Sequence, residues 1–197
     1  MLVFRDKDKV CCYVHLPKCA GRYIKQQVRS QYEMIKNFCG IDKKTTKNHG
    51  YDNFMDRMHI PINLFTEYFF KDKIDQFFTY TRNPYHRLIS GYYFTKQKQT
   101  FEDFVLTTLK NQNVFEYHRG YVHFLSQCYY LNKNESIHAS NVMINSLENY
   151  ELGNIRLNNF NLKSYDLSRF YNKEMLKVVN EKYQKDFELL NYPFIEL

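Results

Sequence analysis

A chain of 197 residues that is 44% hydrophobic and 25% charged can bury a sizeable core as one domain spanning 1–197, and its composition is that of neither a disordered nor a fibrous chain. The formal net charge of +7 favours anionic partners, although the lysines are scattered as on a solvated basic surface rather than packed into one run. Five cysteines (Cys11, Cys12, Cys19, Cys39 and Cys128) with no C-x-x-C pair or His/Cys cluster argue against a zinc site and a disulfide framework, and for a reducing compartment.

In chain order, "MLVFRDKDKV" lacks the apolar centre of a signal peptide. Val10 to His15 is short, apolar and partly β-branched, and reads as a buried strand. Gly21 opens a helical pattern in which Tyr23, Ile24, Val28 and Tyr32 share one face. Residues 37–51 are polar with two glycines and read as a long loop. Pro61 stands at a first helical position, before Ile62, Leu64, Phe65 and Tyr68. Gln76 to Thr81 reads as a second buried strand, followed by Asn83 as N-cap and Pro84 as the first helical residue. Thr100 caps "FEDFVLTTL", with Asp103 in the capping-box position. Asn134-Glu135-Ser136 is a formal glycosylation sequon that matters only in a secreted chain. Asn141 to Leu147 reads as a third strand, and Asn172 caps a helix with a Met175, Val178, Val179, Tyr183 stripe. No apolar run approaches the ~20 residues that cross a bilayer, so a soluble, cytoplasmic protein is expected. Strands alternating with helices predict an α/β fold with a parallel sheet, whose ligands sit at the C-terminal ends of the strands.

Two strand-to-helix turns fall at such ends. The first, Pro17-Lys18-Cys19-Ala20-Gly21, combines a helix N-terminus, which attracts anions, with a glycine and a lysine. An exposed surface turn would look the same. The turn is no Walker A loop, because Cys19 replaces the Mg-binding hydroxyl and the second loop glycine is missing, so a Mg-nucleoside triphosphate fits poorly. In the second turn Arg82 ends a strand and Ser90 follows eight residues later, about two helical turns on. An arginine with a hydroxyl suits a second, separate phosphate. Arg87 is either a third contributor or a solvated helix arginine. Together the turns imply a ligand with phosphates at both ends.

At these residues the chain resembles the sulfotransferases that use 3′-phosphoadenosine 5′-phosphosulfate (PAPS), closest to the Golgi-type carbohydrate sulfotransferases. "VHLPKCAG" resembles the family's 5′-phosphosulfate loop, H-x-P-K-[TC]-[AG]-G, and "YTRNPYHRLISGYY" resembles its 3′-phosphate segment, R-[ND]-P-x-x-R-x-x-S-x-Y. "FEDFV" resembles the family's next helix, His123 and Gln127 an H-x-x-P-Q element in which Ser126 replaces the proline, "INSLENY" the strand-plus-acid segment, and "EKYQKDFELLNY" the C-terminal Y-x-x-D-F pattern. The resemblance runs from about residue 10 to 194. It implies a P-loop NTPase-like fold, three layers with a central parallel sheet flanked by helices. It also implies a PAPS site at Lys18, Cys19, Ala20, Gly21, Arg22, Tyr23, Arg82 and Ser90, with no metal. Arg22 and Tyr23 stand where the family has Thr or Ser, so Arg22 either replaces the hydroxyl by direct charge or points to solvent. The signal anchor and stem of the Golgi enzymes have no counterpart in the sequence.

The chemistry implied is in-line sulfuryl transfer to an acceptor hydroxyl, with a carbohydrate favoured by the resemblance. Lys18 would stabilise the departing adenosine 3′,5′-bisphosphate. A histidine near neutral pKa suits the base. His59, in "RMHIPINLF" between the two phosphate motifs, is the first candidate, His49 the second, and Glu67 and Asp56 are weaker ones. His15 supports the phosphate loop from the strand's end. The rival readings are a P-loop-type nucleotide kinase, a basic nucleic-acid-binding module and a binding-only descendant. The nucleic-acid reading lacks a basic stripe with interleaved aromatics.

Overall fold

The computed structural model describes residues 1–38, 59–111, 120–131, 141–148 and 163–196. The chain begins with an antiparallel hairpin, β1 (Leu2–Asp6) and β2 (Lys9–Tyr13), with Leu2 opposite Tyr13 and Phe4 opposite Cys11. Lys7 turns the corner at φ 54°, a left-handed conformation that two-residue hairpin turns use. Helix α1 (Gly21–Gln31) buries Ile24 and Val28. Tyr32 leaves the helical face expected for it and turns extended, leading into β3 (Glu33–Asn37). The start of the expected 37–51 loop is therefore the end of a strand, and the rest lies outside the described residues.

The sheet corrects the expected central parallel sheet. Its five strands run in the order β3–β1–β2–β4–β5, and it is mixed. β4 (Gln76–Thr81) lies parallel between β2 and β5 (Val142–Ser146), whereas β1 pairs antiparallel with both β2 and β3. The α/β class stands. The parallel part is the part that the strand-turn-helix pattern described, and the antiparallel part comes from the N-terminal hairpin.

The predicted helix starts are present. α2 (Ile62–Leu64) begins just after Pro61 and runs on as a π-helical turn, Phe65–Phe69. In α3 (Pro84–Thr95) the Asn83 side chain accepts from Tyr85 N at 3.0 Å. In α4 (Phe101–Asp103, continued as a π-helical turn over Phe104–Leu109) Thr100 Oγ1 accepts from Asp103 N at 3.1 Å. α5 (Gln127–Tyr130) is a short helix after the Tyr121–His123 turn. In α6 (Lys173–Lys182) Asn172 Oδ1 accepts from Met175 N at 2.9 Å, and α7 (Gln184–Leu189) follows.

Apolar side chains gather in two clusters. One joins the hairpin and the sheet to α1 and includes Val3, Tyr13, Ile24, Phe65 and Phe78. The other packs α3, α4, α6 and α7 through Tyr85, Ile89, Phe104, Val179 and Phe187. Leu125 and Leu190 touch both clusters. β2 and β4 stay paired beyond the end of β2: Val14 N donates to Phe78 O and Thr79 Oγ1 donates to Val14 O, both at 2.9 Å. The two strand-to-helix turns are thereby brought side by side. Among the described residues no helix is long and apolar enough to cross a membrane.

Candidate functional site

The first turn is strained and held. Lys18 has φ 66° and Ala20 φ 55°, left-handed values that cost a residue with a Cβ roughly 1–2 kcal/mol each. Three long-range contacts fix them. Arg87 Nε donates to Pro17 O at 3.0 Å, Cys19 Sγ reaches Gln127 Oε1 at 3.3 Å, and Arg82 Nη1 reaches Lys18 O at 3.5 Å. The Cys19 thiol is fully buried and burial pushes its pKa up to about 12, so it packs as a neutral group. Any contact of Cys19 with an anion would be through its backbone. No side chain caps the first turn of α1 and no acidic residue lies in it. That leaves helix N–H groups and the positive dipole end for an anion.

The second turn is clamped at its backbone. Gln127 accepts from Arg82 N through Oε1 and donates to Arg82 O through Nε2, both at 2.9 Å. Gln127 is itself seated by buried Asp186, whose carboxylate accepts from Gln127 N at 2.8 Å, Cys128 N at 2.9 Å and Ser126 Oγ at 2.5 Å. Glu148, just past β5, accepts from Asn83 N at 2.9 Å and from Ser146 Oγ at 2.7 Å. The downstream segments that resembled family motifs thus hold the Arg82 turn in place.

The arginines divide the work. Arg87 is 1% exposed and neither solvated nor ligand-facing: besides Pro17 it donates to Leu125 O at 2.7 Å and His123 O at 3.4 Å. It braces the loop. Arg82 is 5% exposed, donates through Nη2 to Lys163 O at 2.5 Å and lies 5.9 Å from the Tyr165 ring centre. Its Nε is buried with no hydrogen-bond partner among the described residues, which costs roughly 1–3 kcal/mol unless a ligand takes it. Ser90 is half-buried on α3, one turn after Arg87 and one turn before Phe94, and its hydroxyl makes no hydrogen bond among the described residues. Arg87 and Phe94 both touch the first turn, so Ser90 lies on the helix face turned to it.

The Lys18 ammonium sits 3.8 Å from the Phe94 ring centre. Burial, then repulsion from Arg82, Arg22 and Arg87, lowers its pKa to about 8. Arg22 is exposed beside it and Tyr23 is half-buried. No carboxylate forms an ion pair with Lys18, Arg22, Arg82 or Arg87 among the described residues. Four like charges gathered with no carboxylate in ion-pair contact form a site for an anion.

His59 and His15 lie behind the loop. His59 is 4% exposed, and its Nδ1 donates to His15 O at 2.8 Å, which places a proton on Nδ1. The His15 ring lies 4.3 Å from that of His59, and the His123 ring lies 5.6 Å from His59 on another side. Burial, then His59, holds the His15 pKa well below the usual histidine range. Three histidines so close do not form a metal cluster, and none of three or more His, Cys, Asp or Glu is found among the described residues. Glu67 is exposed on the π-helical turn, while His49, Asp56 and the sequon lie outside the described residues.

The structure therefore brings together Lys18, Cys19, Ala20, Gly21, Arg22, Arg82 and Ser90, with His59 behind them. Sequence reasoning missed Phe94 as the seat of Lys18 and Asp186 as the anchor of Gln127; His123, read from sequence in the H-x-x-P-Q element, lines a depression beside Phe94. The only sequence signal for Phe94 is its place one helical turn beyond Ser90. Set against family models, curated proteins and solved structures, the chain matches none.

Proposed function

We propose that this protein is a PAPS-dependent sulfotransferase that moves a sulfuryl group to an acceptor hydroxyl, on a carbohydrate by resemblance. The P-loop NTPase-like sulfotransferase fold, with helices on both faces of the sheet, is part of that proposal. One observation carries it: a cluster of cations with no ion-paired carboxylate among the described residues joins two strand-to-helix turns, with the buried Arg82 Nε left without a partner there. These residues fit a ligand with phosphates at two ends. The 5′ end would lie on Lys18, Arg22 and the backbone of Cys19 to Tyr23. The 3′-phosphate would lie on Arg82 and Ser90.

When bound, PAPS supplies a sulfuryl group on a phosphate leaving group. Lys18 would leave the Phe94 ring and neutralise the charge that develops on that phosphate. The first-turn N–H groups of α1 would share that charge. His59, protonated at Nδ1 by its bond to His15 O, would accept the acceptor's proton at Nε2. Arg87, Gln127 and Asp186 would keep the two turns at a fixed separation, which in-line transfer requires. His123 is a second reading for the base, favoured by its place in the depression bounded by Phe94.

Calorimetry with adenosine 3′,5′-bisphosphate, ATP-Mg and oligonucleotides tests the proposal. The bisphosphate is expected to bind tightest, and Lys18→Ala and Arg82→Ala to weaken it about tenfold or more each, the scale of a lost charge-assisted contact. His59→Ala should spare binding and abolish transfer. Full activity in His59→Ala with loss in His123→Ala would move the base to His123. Tighter binding of ATP-Mg, or no preference for the bisphosphate, would sink the sulfotransferase reading in favour of a kinase or a nucleic-acid binder.

A further inference from the structure

Phe94 joins the phosphate turns to a second part of the surface. Its ring carries the Lys18 ammonium at 3.8 Å and lies 4.8 Å from the His123 ring, and with His123 it lines a depression of about 750 Å³. None of the residues assigned to the phosphates lines that depression. A ligand whose 5′ end rests on Lys18 therefore meets the depression at Phe94, and a chain attached beyond that phosphate has a concavity to enter.

The wall beyond Phe94 presents oriented amides. Gln97 Nε2 donates to Thr95 Oγ1 at 2.5 Å and Gln99 Nε2 donates to Thr108 Oγ1 at 2.8 Å, and all four residues line the depression. With their NH₂ groups so fixed, the amide oxygens make no hydrogen bond among the described residues and can accept from a ligand's N–H groups. The Thr95 hydroxyl proton is already used, since Oγ1 donates to Gly91 O at 2.9 Å. Phe94 is 51% exposed, and its ring face is freed once Lys18 moves onto a phosphate. An apolar ring next to the phosphate, followed by two acceptors, suits a chain with apolar carbon near its phosphate and N–H donors further along.

We propose that the two-phosphate site also takes coenzyme A, with the pantetheine arm laid over Phe94 into the depression. The head of coenzyme A is 3′-phosphoadenosine 5′-diphosphate, which carries phosphates at the same two ends as adenosine 3′,5′-bisphosphate. Its 3′-phosphate lies on Arg82, whose buried Nε has no other partner among the described residues, and on Ser90. Its diphosphate lies on Lys18 and Arg22. From the diphosphate outwards the arm presents a gem-dimethyl group, a hydroxyl and then two secondary amides. The gem-dimethyl group packs on the Phe94 ring, and the two amide N–H groups donate to Gln97 and Gln99 Oε1. Coenzyme A has no sulfuryl group, so it fills the donor's place without reacting, and the two ligands exclude each other. The binding rests on the two-phosphate reading, and the competition with a sulfuryl donor rests on the sulfotransferase reading.

The test is calorimetry on the full chain with coenzyme A and dephospho-coenzyme A, both in desulfo form so that no disulfide forms with a cysteine, against 3′-phosphoadenosine 5′-diphosphate and adenosine 3′,5′-bisphosphate. Coenzyme A is expected to bind about tenfold tighter than 3′-phosphoadenosine 5′-diphosphate, which has the same phosphates and no arm; that is the scale of two net hydrogen bonds. Dephospho-coenzyme A, which lacks the 3′-phosphate, should bind about tenfold or more weaker than coenzyme A, as for a lost charge-assisted contact. Gln97→Met/Gln99→Met keeps the length of both side chains and removes the amides. It should erase the advantage of the arm and leave bisphosphate affinity unchanged. If that variant loses the bisphosphate as well, Gln97→Met and Gln99→Met singly carry the comparison. An arm that adds nothing in wild type, an advantage that survives in the methionine variants, or dephospho-coenzyme A binding as tightly as coenzyme A would overturn the inference. With the bisphosphate still bound, such a result leaves the two-phosphate reading standing, whereas failure of all four ligands to bind overturns both. Arm-dependent coenzyme A binding in a protein that transfers no sulfuryl group from PAPS would uphold the coenzyme A site and overturn the sulfotransferase reading.

Discussion

A Cβ placed on Gly21 would lie 1.7 Å from His15 Nε2 and 1.9 Å from its Cδ2. The histidine and the glycine of "VHLPKCAG" are therefore one packing unit, with the imidazole lying where a side chain at the start of α1 would be. From sequence, Gly21 reads as room for a ligand; in the structure the room is taken by a ring. The ring is buried between Tyr13, whose ring stacks at 6.0 Å, and His59 at 4.3 Å, so it has little freedom to retreat. Gly21→Ala is expected to cost about 1–3 kcal/mol, the usual scale of overpacking, and to lower bisphosphate affinity by displacing the turn. Adding His15→Ala removes the obstacle, so the double variant should regain part of the stability lost by Gly21→Ala. Chemical denaturation of the three variants checks this, and a Gly21→Ala protein as stable as wild type would show that the ring moves freely.

The elements that sequence made legible are those with local causes. Asn83, Thr100 and Asn172 cap their helices through contacts spanning two or three residues, and β4 has the predicted bounds because five aromatic and β-branched residues, Phe77 to Thr81, stand between Gln76 and Arg82. The clamps on the turns are of another kind. Arg87 reaches Pro17 across 70 residues, Gln127 reaches Arg82 across 45, and Asp186 reaches Gln127 across 59. No periodicity or spacing encodes such contacts, so Arg87 read as a solvated or ligand-facing arginine, and Asp186 as part of a C-terminal pattern only. The hairpin was missed for a different reason: Leu2 to Asp6 ends in charged residues that continue through the turn, so its alternation is short. Asp186→Asn tests the clamp. It replaces an all-acceptor carboxylate with an amide that presents N–H groups to the donors of Ser126, Gln127 and Cys128, at a cost of roughly 1–3 kcal/mol per unsatisfied group. The expected result is a lower urea midpoint together with weaker bisphosphate binding. Asp186 lies outside the anion site, so loss of both together would show that the clamp holds Arg82 in place; unchanged binding in a destabilised protein would confine Asp186 to stability.

Across the whole molecule, pH sets binding and stability in opposite directions. Burial, then repulsion from Arg82, lowers Lys18 from its ordinary 10.5 to about 8. A group whose pKa is lower folded than unfolded makes the unfolded chain bind more protons, so the ligand-free protein gains stability as pH rises from about 8 to 10.5. His15, held well below its ordinary 6.5 by burial and His59, acts with the same sign, so stability falls as pH drops below 6.5. Binding responds the other way. An anion on Lys18 needs the ammonium, so above pH 8 the protein must take up a proton to bind, and bisphosphate affinity should fall by up to tenfold per pH unit. Lys18→Arg, which does not titrate in this range, should flatten that decline, whatever it does to affinity at neutral pH. Calorimetry from about pH 7 to 9.5 in buffers of different ionisation enthalpy reads both the affinity and the proton uptake. A wild-type affinity that stays level to pH 9.5, with no proton taken up, would mean that the anion does not rest on Lys18. The opposite slopes also separate binding from unfolding: a decline in affinity between pH 8 and 9.5 cannot come from loss of fold if the urea midpoint rises over the same interval.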